Sequence, residues 1–388
     1  MTFASYSREI FTRGAAGELP AQPVSLARLA ALAHQRLLAA DPRVADYVFG
    51  GAGSEDSMRV NEDAFRRWRI VPRMLRDVAQ RDLSRTVLGT ELAAPLALAP
   101  IAAQELVHPD GEAGAARAAG SLGLPFAAST LTGLTLEQIA RAGDGPKWFQ
   151  LYWPSDPELA ESLVRRAQAA GYRALIVTVD NFLPSWRPRD LERGYMPFLH
   201  GFAIANYTAD PVFRARLPRT PEEDPKAAVA AFLDLFVNPR LTWDDLSRLR
   251  EWSSVPIAVK GLLHPDDARE ARARGVDAVV VSNHGGRQID GEIASLDALP
   301  AIVDAAGGEL EVLLDSGVRS GSDVLKALAL GAGAVLVGRP FLWGLAVGGE
   351  AGVLAVLRGL LADLDLALGL SGHTTPAQLG PAVLAREG

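Results

Sequence analysis

From Pro95 onward the sequence repeats one pattern, a short continuous apolar run followed by an alanine-rich segment of helical character. The runs are PLALAP (95–100), LPFAAS (124–129), KWFQLYW (147–153), ALIVTVD (174–180), PIAVKG (256–261), AVVVSNHG (278–285), EVLLDSG (311–317) and AVLVGRP (334–340). A strand with one wet face alternates polar and apolar residues, whereas an unbroken apolar run suits a parallel strand covered on both faces. Eight such runs alternating with helices predict an α/β fold of the TIM (β/α)8 barrel type, in preference to a doubly wound open sheet.

The flanks are read around that repeat as parts of one domain spanning 1–388. Residues 1–94 read as an N-terminal helical segment. Ser25 caps SLARLAALAHQRLLAA, Asp41-Pro42 starts a second helix, and Gly50-Gly51 ends it. The barrel itself spans 95–345, and helices fill 346–388. Between the fourth and fifth runs, residues 181–255 hold far more chain than a βα connection needs, including Trp186, Pro188, Pro197, Gly201 and Pro211. Because AAVAAFLDLF and TWDDLSRLREW within it look helical, the insertion reads as a lid over the barrel mouth rather than a linker.

Composition excludes several classes of function. A net charge of −7 argues against a nucleic-acid partner. The absence of cysteine removes disulfides and thiolate chemistry, and six scattered histidines without paired spacing give no support to a metal site. The start, MTFASYSREIFTRG, carries charges where a signal peptide needs its apolar core. GVLAVLRGLLADLDLALGL is interrupted by Arg358, Asp363 and Asp365, so it reads as a packed helix and not a membrane span. A cytoplasmic protein without membrane contact is the expectation.

Barrel chemistry sits at the C-terminal ends of the strands, and polar residues gather there. They are Gln150 and Tyr152, Thr178 and Asp180, Lys260, then Ser282, His284 and Arg287, then Asp315 to Arg319, then Gly338 and Arg339. After the seventh and eighth strands, Gly317, Gly321 and Gly338 permit close backbone approach while Arg319 and Arg339 supply charge, which points to a phosphate. GGAGSED and LGAGAVLVG are misplaced for a dinucleotide fingerprint, so a mononucleotide such as FMN fits better than NAD. Lys260 suits the flavin edge that becomes negative on reduction. His284 is the best general base, and Asp180, across the mouth, can fix its tautomer. Two arginines can grip a substrate carboxylate. Arg287 is one, while Arg187, Arg189 and Arg193 remain alternatives for the other on pattern alone.

These motifs resemble the FMN-dependent L-2-hydroxy-acid oxidase family. The likeness is carried by SNHGGRQ and by DYVFGGAGSEDSMRVNEDAF (46–65), APIAAQ, AASTLTG, QLYW, VTVD, VKG, DSGVRSGSDVLKALALGA and VGRP, in that order. The resemblance implies an FMN-binding TIM barrel with His284 as catalytic base and Asp180 as its partner. It selects Arg187, beside Arg287, for the substrate carboxylate, and adds Tyr47 and Tyr152 to the substrate pocket. It implies FMN contacts from Pro100, Ile101, Ala102, Ser129, Gln150, Thr178, Lys260, Ser282, Asp315, Gly317, Arg319, Gly338 and Arg339.

The lid, WRPRDL (186–191) with PFLHGFAIANY (197–207) and DPVF (210–213), is most similar to that of lactate 2-monooxygenases. The implied reaction is oxidation of L-lactate by O2 to acetate, carbon dioxide and water, with Leu131 keeping the pocket small. Ala102 stands where that subgroup is expected to carry glycine, which shifts the balance toward an oxidase giving pyruvate and hydrogen peroxide. A dehydrogenase using another acceptor, a different FMN barrel enzyme and a redox-silent flavin binder are the other readings weighed. The family likeness also implies a homotetramer or homo-octamer.

Overall fold

A computed structural model of the chain describes residues 3–387. Its centre is a closed barrel of eight parallel strands. They are β1 (Leu96–Leu98), β2 (Phe126–Ala128), β3 (Lys147–Leu151), β4 (Leu175–Thr178), β5 (Ile257–Leu262), β6 (Ala278–Val281), β7 (Glu311–Leu314) and β8 (Ala334–Val337). They follow one another around the barrel in chain order, and β8 closes onto β1 through Val335 opposite Leu96 and Val337 opposite Leu98. Each coincides with one of the eight runs, β5 reaching one residue further.

Continuous apolar runs are needed because both strand faces are dry. Phe149, Val177, Val259, Val281, Leu314 and Val337 join the cluster shared with the helices. Trp148, Ile176, Ala258, Val280, Leu313 and Leu336 form a second, inner cluster. Trp148 is fully buried there with Ala97, Ala127, Ala278 and Ala334, so one large ring is balanced by small neighbours.

The segment before β1 is helical only as far as Arg66. As read from sequence, Leu26–Ala40 is capped by the Ser25 hydroxyl and Pro42–Phe49 by the Asp41 carboxylate. Beyond them, Trp68–Ile70 pairs antiparallel with Leu384–Arg386, and Arg85–Val87 pairs with Thr90–Leu92 in a hairpin. Leu88 and Gly89, at φ +48° and +66°, form its tight turn. Val87, Leu88 and Leu92 belong to the inner barrel cluster, so this hairpin plugs one end of the barrel. Burial alternates along Thr90–Leu92 after the tight turn, which suits a short paired strand rather than a helix.

The insertion folds into short helices, the longest being Pro225–Phe236. Its residues Leu183, Arg187, Phe198 and Phe236 wall the same cavity as the ends of the barrel strands, which makes it the lid the sequence suggested. Arg339–Leu370 follows β8 and breaks at Gly348 and Gly349, where the backbone leaves helical geometry. Among the described residues no helix is long and apolar enough to cross a membrane.

Candidate active site

The strand ends open into a cavity of about 280 Å³, floored by the barrel and roofed by the insertion. Of the residues chosen from sequence, Tyr47, Pro100, Ile101, Ala102, Tyr152, Arg187, Lys260, His284, Arg287, Asp315, Gly317, Arg319, Gly338 and Arg339 line it. Ser129, Gln150, Thr178, Asp180 and Ser282 stand one layer behind, each supporting or adjoining a lining residue.

His284 owes its position to a backbone that most residues avoid. His284, Gly285 and Gly286 have φ of +57°, +67° and +74°, three consecutive left-handed residues after β6. A Cβ on Gly286 would lie 2.6 Å from the Met58 amide nitrogen. The strain is held by side-chain hydrogen bonds. The Ser282 hydroxyl accepts from the His284 amide at 3.0 Å, and the Ser316 hydroxyl accepts from the Gly285 amide at 3.0 Å.

The imidazole Nδ1 lies 2.8 Å from Asp180 Oδ1, and Nε2 faces the cavity 3.4 Å from the Tyr152 hydroxyl. Asp180 reaches this place because β5 bulges at Gly261, whose φ is +110° and where a Cβ would come within 2.6 Å of the Asp180 side chain. Burial alone would raise the Asp180 carboxyl, but the His284 and Lys260 charges outweigh it and hold it below the usual carboxylate range. Burial pushes the Tyr47 and Tyr152 hydroxyls upward, so both stay protonated.

Arg287 donates to the Tyr47 and Gly50 carbonyls at 2.9 and 2.7 Å, and its guanidinium carbon sits 5.2 Å from the Tyr47 ring centre. Burial and the neighbouring Arg187 cation both lower its affinity for its proton. The structure separates the lid arginines. Arg187 faces the cavity, 3.5 Å from Asp190, while Arg189 pairs with Glu55 at 2.5 Å and Arg193 with Asp46 at 2.7 Å, away from the lining.

The remaining polar residues fit FMN. Lys260, only 4% exposed, touches Ser282 at 2.9 Å and Asp315 at 3.2 Å. Burial works against its charge, but Asp315 and Asp180 prevail and keep it protonated. On the neighbouring strands, Gln150 Nε2 and Thr178 Oγ1 are buried without a hydrogen-bond partner among the described residues. Ser129 and the Thr130 amide already occupy Gln150 Oε1, at 3.1 and 3.2 Å, which leaves its NH2 group to give. Buried polar groups are seldom left unpaired, and the carbonyl-rich edge of a flavin ring matches this row.

At the other end, Arg319 Nε and Arg339 Nε also lack partners. Burial, then Arg287 and Arg319, push the Arg339 guanidinium down to about 9. Buried cations crowded in this way are relieved by an anion such as a phosphate. Gly317 has φ +85° and no room for a Cβ, which would fall 2.4 Å from the Asn61 carbonyl oxygen.

Sequence reasoning missed Asn181 and Gln288, both on the cavity wall, and the lid's apolar lining, Met196, Phe198, Leu233 and Phe236. The amides follow Asp180 and Arg287 directly in sequence, and that adjacency was the available signal.

Comparison with known proteins agrees with this geometry. The FMN-dependent dehydrogenase family profile matches residues 35–386. An L-lactate oxidase of Nostoc sp. is 47% identical over 84% of this chain and 89% of its own length. Human 2-hydroxyacid oxidase 1 is 43% identical over 84% of this chain and 88% of its length. The crystal structure of a mandelate oxidase superposes with a TM-score of 0.82 at 38% identity, covering 94% of this chain and 99% of that one. With the barrel, the flavin-shaped row of donors and these matches in agreement, the chain belongs to the FMN-dependent dehydrogenase family and is an FMN-dependent 2-hydroxy-acid oxidoreductase.

Proposed function

We propose that the protein oxidises a small L-2-hydroxy acid, L-lactate in the first instance, with O2 as the final electron acceptor. The observation that carries this reading is the pair of neighbouring cationic arginines, Arg187 and Arg287, facing the same cavity as a carboxylate-backed histidine. Two like charges this close, in a site where burial already disfavours Arg287, call for an anionic ligand. A carboxylate answers it with two hydrogen-bonded forks.

Bound FMN supplies the two-electron acceptor and the route by which electrons reach O2. The chain's own residues do the rest. Arg187 and Arg287 hold the substrate carboxylate, and the protonated Tyr47 and Tyr152 hydroxyls bind its oxygens. His284 Nε2 takes the proton that leaves the substrate, and Asp180 stabilises the cation that forms. Ser129, Gln150, Thr178, Lys260, Ser282 and Asp315, with the Pro100–Ala102 backbone, hold the flavin ring. Gly317, Arg319, Gly338 and Arg339 hold its phosphate. Lid residues Phe198 and Phe236 exclude water.

The lid sequence and its roofing of a small cavity support a lactate 2-monooxygenase outcome, in which lactate and O2 give acetate, carbon dioxide and water. Ala102 on the wall, and relatives named L-lactate oxidase, favour a second outcome, pyruvate with hydrogen peroxide. Quantifying acetate, pyruvate and peroxide from L-lactate in air separates them. Failure of L-lactate to bleach the flavin without oxygen would remove lactate from the proposal. The family likeness further supports a homotetramer or homo-octamer.

A further inference from the structure

Behind the His284 turn lies a buried pair of amides that the proposed reaction does not use. Asn61, on the helix Asp56–Arg66, is 2% exposed, and Asn283, the residue before His284, is 1% exposed. Asn61 Nδ2 donates to Asn283 Oδ1 at 2.8 Å, and Asn283 Nδ2 donates back to Asn61 Oδ1 at 2.9 Å.

Backbone groups fix which way both amides face. The Gly286 amide donates to Asn283 Oδ1 at 3.1 Å while also reaching the Asn283 carbonyl at 2.9 Å. The Ile293 carbonyl accepts from Asn283 Nδ2 at 3.2 Å, and the Ser295 amide donates to Asn61 Oδ1 at 3.3 Å. A backbone amide only donates and a carbonyl only accepts, so flipping either side chain would set like against like.

The pair sits where the backbone is most strained. Bonded to Gly286, the Asn283 side chain spans His284 and Gly285 and closes the left-handed turn that carries the imidazole. Asn61 holds that side chain from a helix that is itself pressed against the turn. A Cβ would not fit on Gly286, facing the Met58 amide, or on Gly317, facing the Asn61 carbonyl. Arg287 is anchored separately, by the Tyr47 and Gly50 carbonyls.

We propose that Asn61 is a positioning residue for the base, holding the His284 turn through Asn283 in the shape that aims Nε2 into the cavity. It therefore acts on the rate of substrate oxidation rather than on substrate binding, because the two arginines are held elsewhere. The inference rests on the role of His284 proposed above.

The test uses Asn61→Asp, which keeps the shape of the side chain. As a neutral acid the new group still donates to Asn283 Oδ1, whereas as a carboxylate it sets oxygen against oxygen. Burial raises a carboxyl's pKa, so this change is expected between about pH 5 and pH 9. The rate of anaerobic flavin reduction by saturating L-lactate is measured per bound flavin across that range and divided by the wild-type rate. The ratio is expected within about threefold of unity at the acid end and roughly thirtyfold lower at the alkaline end, the loss of a buried donor. The apparent Kd for lactate should stay within about twofold. If that variant does not fold, Asn61→Ala, Asn283→Ala and their combination serve instead. Asn61→Ala alone should slow reduction roughly tenfold, yet add less than about twofold in the Asn283→Ala background, because both changes remove the same bond.

A ratio independent of pH in a folded, yellow Asn61→Asp protein would overturn the inference, as would additive losses in the alanine pair. A lower Tm with the full reduction rate per flavin would overturn it too, leaving Asn61 as a packing residue. So would a loss confined to the lactate Kd. His284→Ala at the wild-type rate would instead overturn the base role itself. A slow His284→Ala beside an indifferent Asn61→Asp overturns only the inference drawn here.

Discussion

Replacing Asp180 by asparagine removes a charge while keeping the side chain's shape, and the structure sets the size of the effect. Asp180 Oδ1 lies 2.8 Å from His284 Nδ1, with the two side chains 10% and 22% exposed. In the proposed reaction this pair becomes ionic as His284 gains its proton. Removing one partner of a buried charge pair costs about 3–5 kcal/mol. The lower end applies, because the imidazole is partly open to the cavity and asparagine still accepts from Nδ1. A loss of about 3 kcal/mol corresponds to roughly 10²-fold in the rate of anaerobic flavin reduction. Flavin content is expected to stay near normal, since Asp180 stands behind the lining rather than on it. Stopped-flow bleaching by a saturating 2-hydroxy acid measures the step directly. An Asp180→Asn protein that is fully yellow and reduced within about fivefold of the wild-type rate would refute the assignment of Asp180 as the stabiliser of a cationic His284.

Three further perturbations probe other parts of the site. Arg287→Met deletes a charge-assisted contact to the substrate carboxylate and should raise KM by roughly 10–100-fold, with steady-state kinetics as the readout; an unchanged KM argues against carboxylate binding there. Gly286→Ala places a methyl 2.6 Å from the Met58 amide nitrogen at φ +74°, so lower Tm and lower flavin content are expected together, and wild-type values for both would contradict the close contact. Glu112, packed against Glu105 behind the β1 loop, is pushed up to about 8 by burial and by the Glu105 charge. A carboxyl raised in the folded state contributes stability that is complete below its unfolded value of 4.5 and lost as pH climbs through about 8. Glu112→Gln, which never ionises, should therefore gain about 2–3 kcal/mol on wild type between pH 6 and pH 8. Parallel Tm-versus-pH curves for the two proteins would count against it.

The barrel was legible because its signal is collective: each apolar run is ambiguous, but eight in alternation with helices leave few alternatives. The same runs hid which residues face inward. Trp148 and Phe149 are adjacent and equally apolar, yet Trp148 fills the barrel while Phe149 packs outward, 5.9 Å from the Tyr172 ring. A strand buried on both faces carries no period-2 pattern to separate them. The hairpin at 85–92 escaped notice for a related reason. Its turn is Leu88-Gly89, without the Asn-Gly or Asp-Gly that announces such a turn in sequence.

At the site, the legible residues were those whose charge is out of place at the end of an apolar strand. Lys260 and His284 stood out in this way, as did Arg339. Arg187 could not be separated from Arg189 and Arg193, because a short helix sends neighbouring side chains in different directions. Their ion-pair partners, Glu55 and Asp46, lie far away in sequence and give no local cue. Asn181 and Gln288 offered only their adjacency to Asp180 and Arg287 as a signal, for another reason. An amide has no charge to look out of place, and its donor and acceptor ends acquire meaning only from the group opposite. Here that group is the Asp180 backbone carbonyl, which the residue types do not record. Sequence can thus nominate the charged residues that act on a substrate. The neutral residues that brace the strand ends become visible only when those ends are brought together, as with Gln288, whose amide donates to the Asp180 backbone carbonyl and to Asn181 Oδ1.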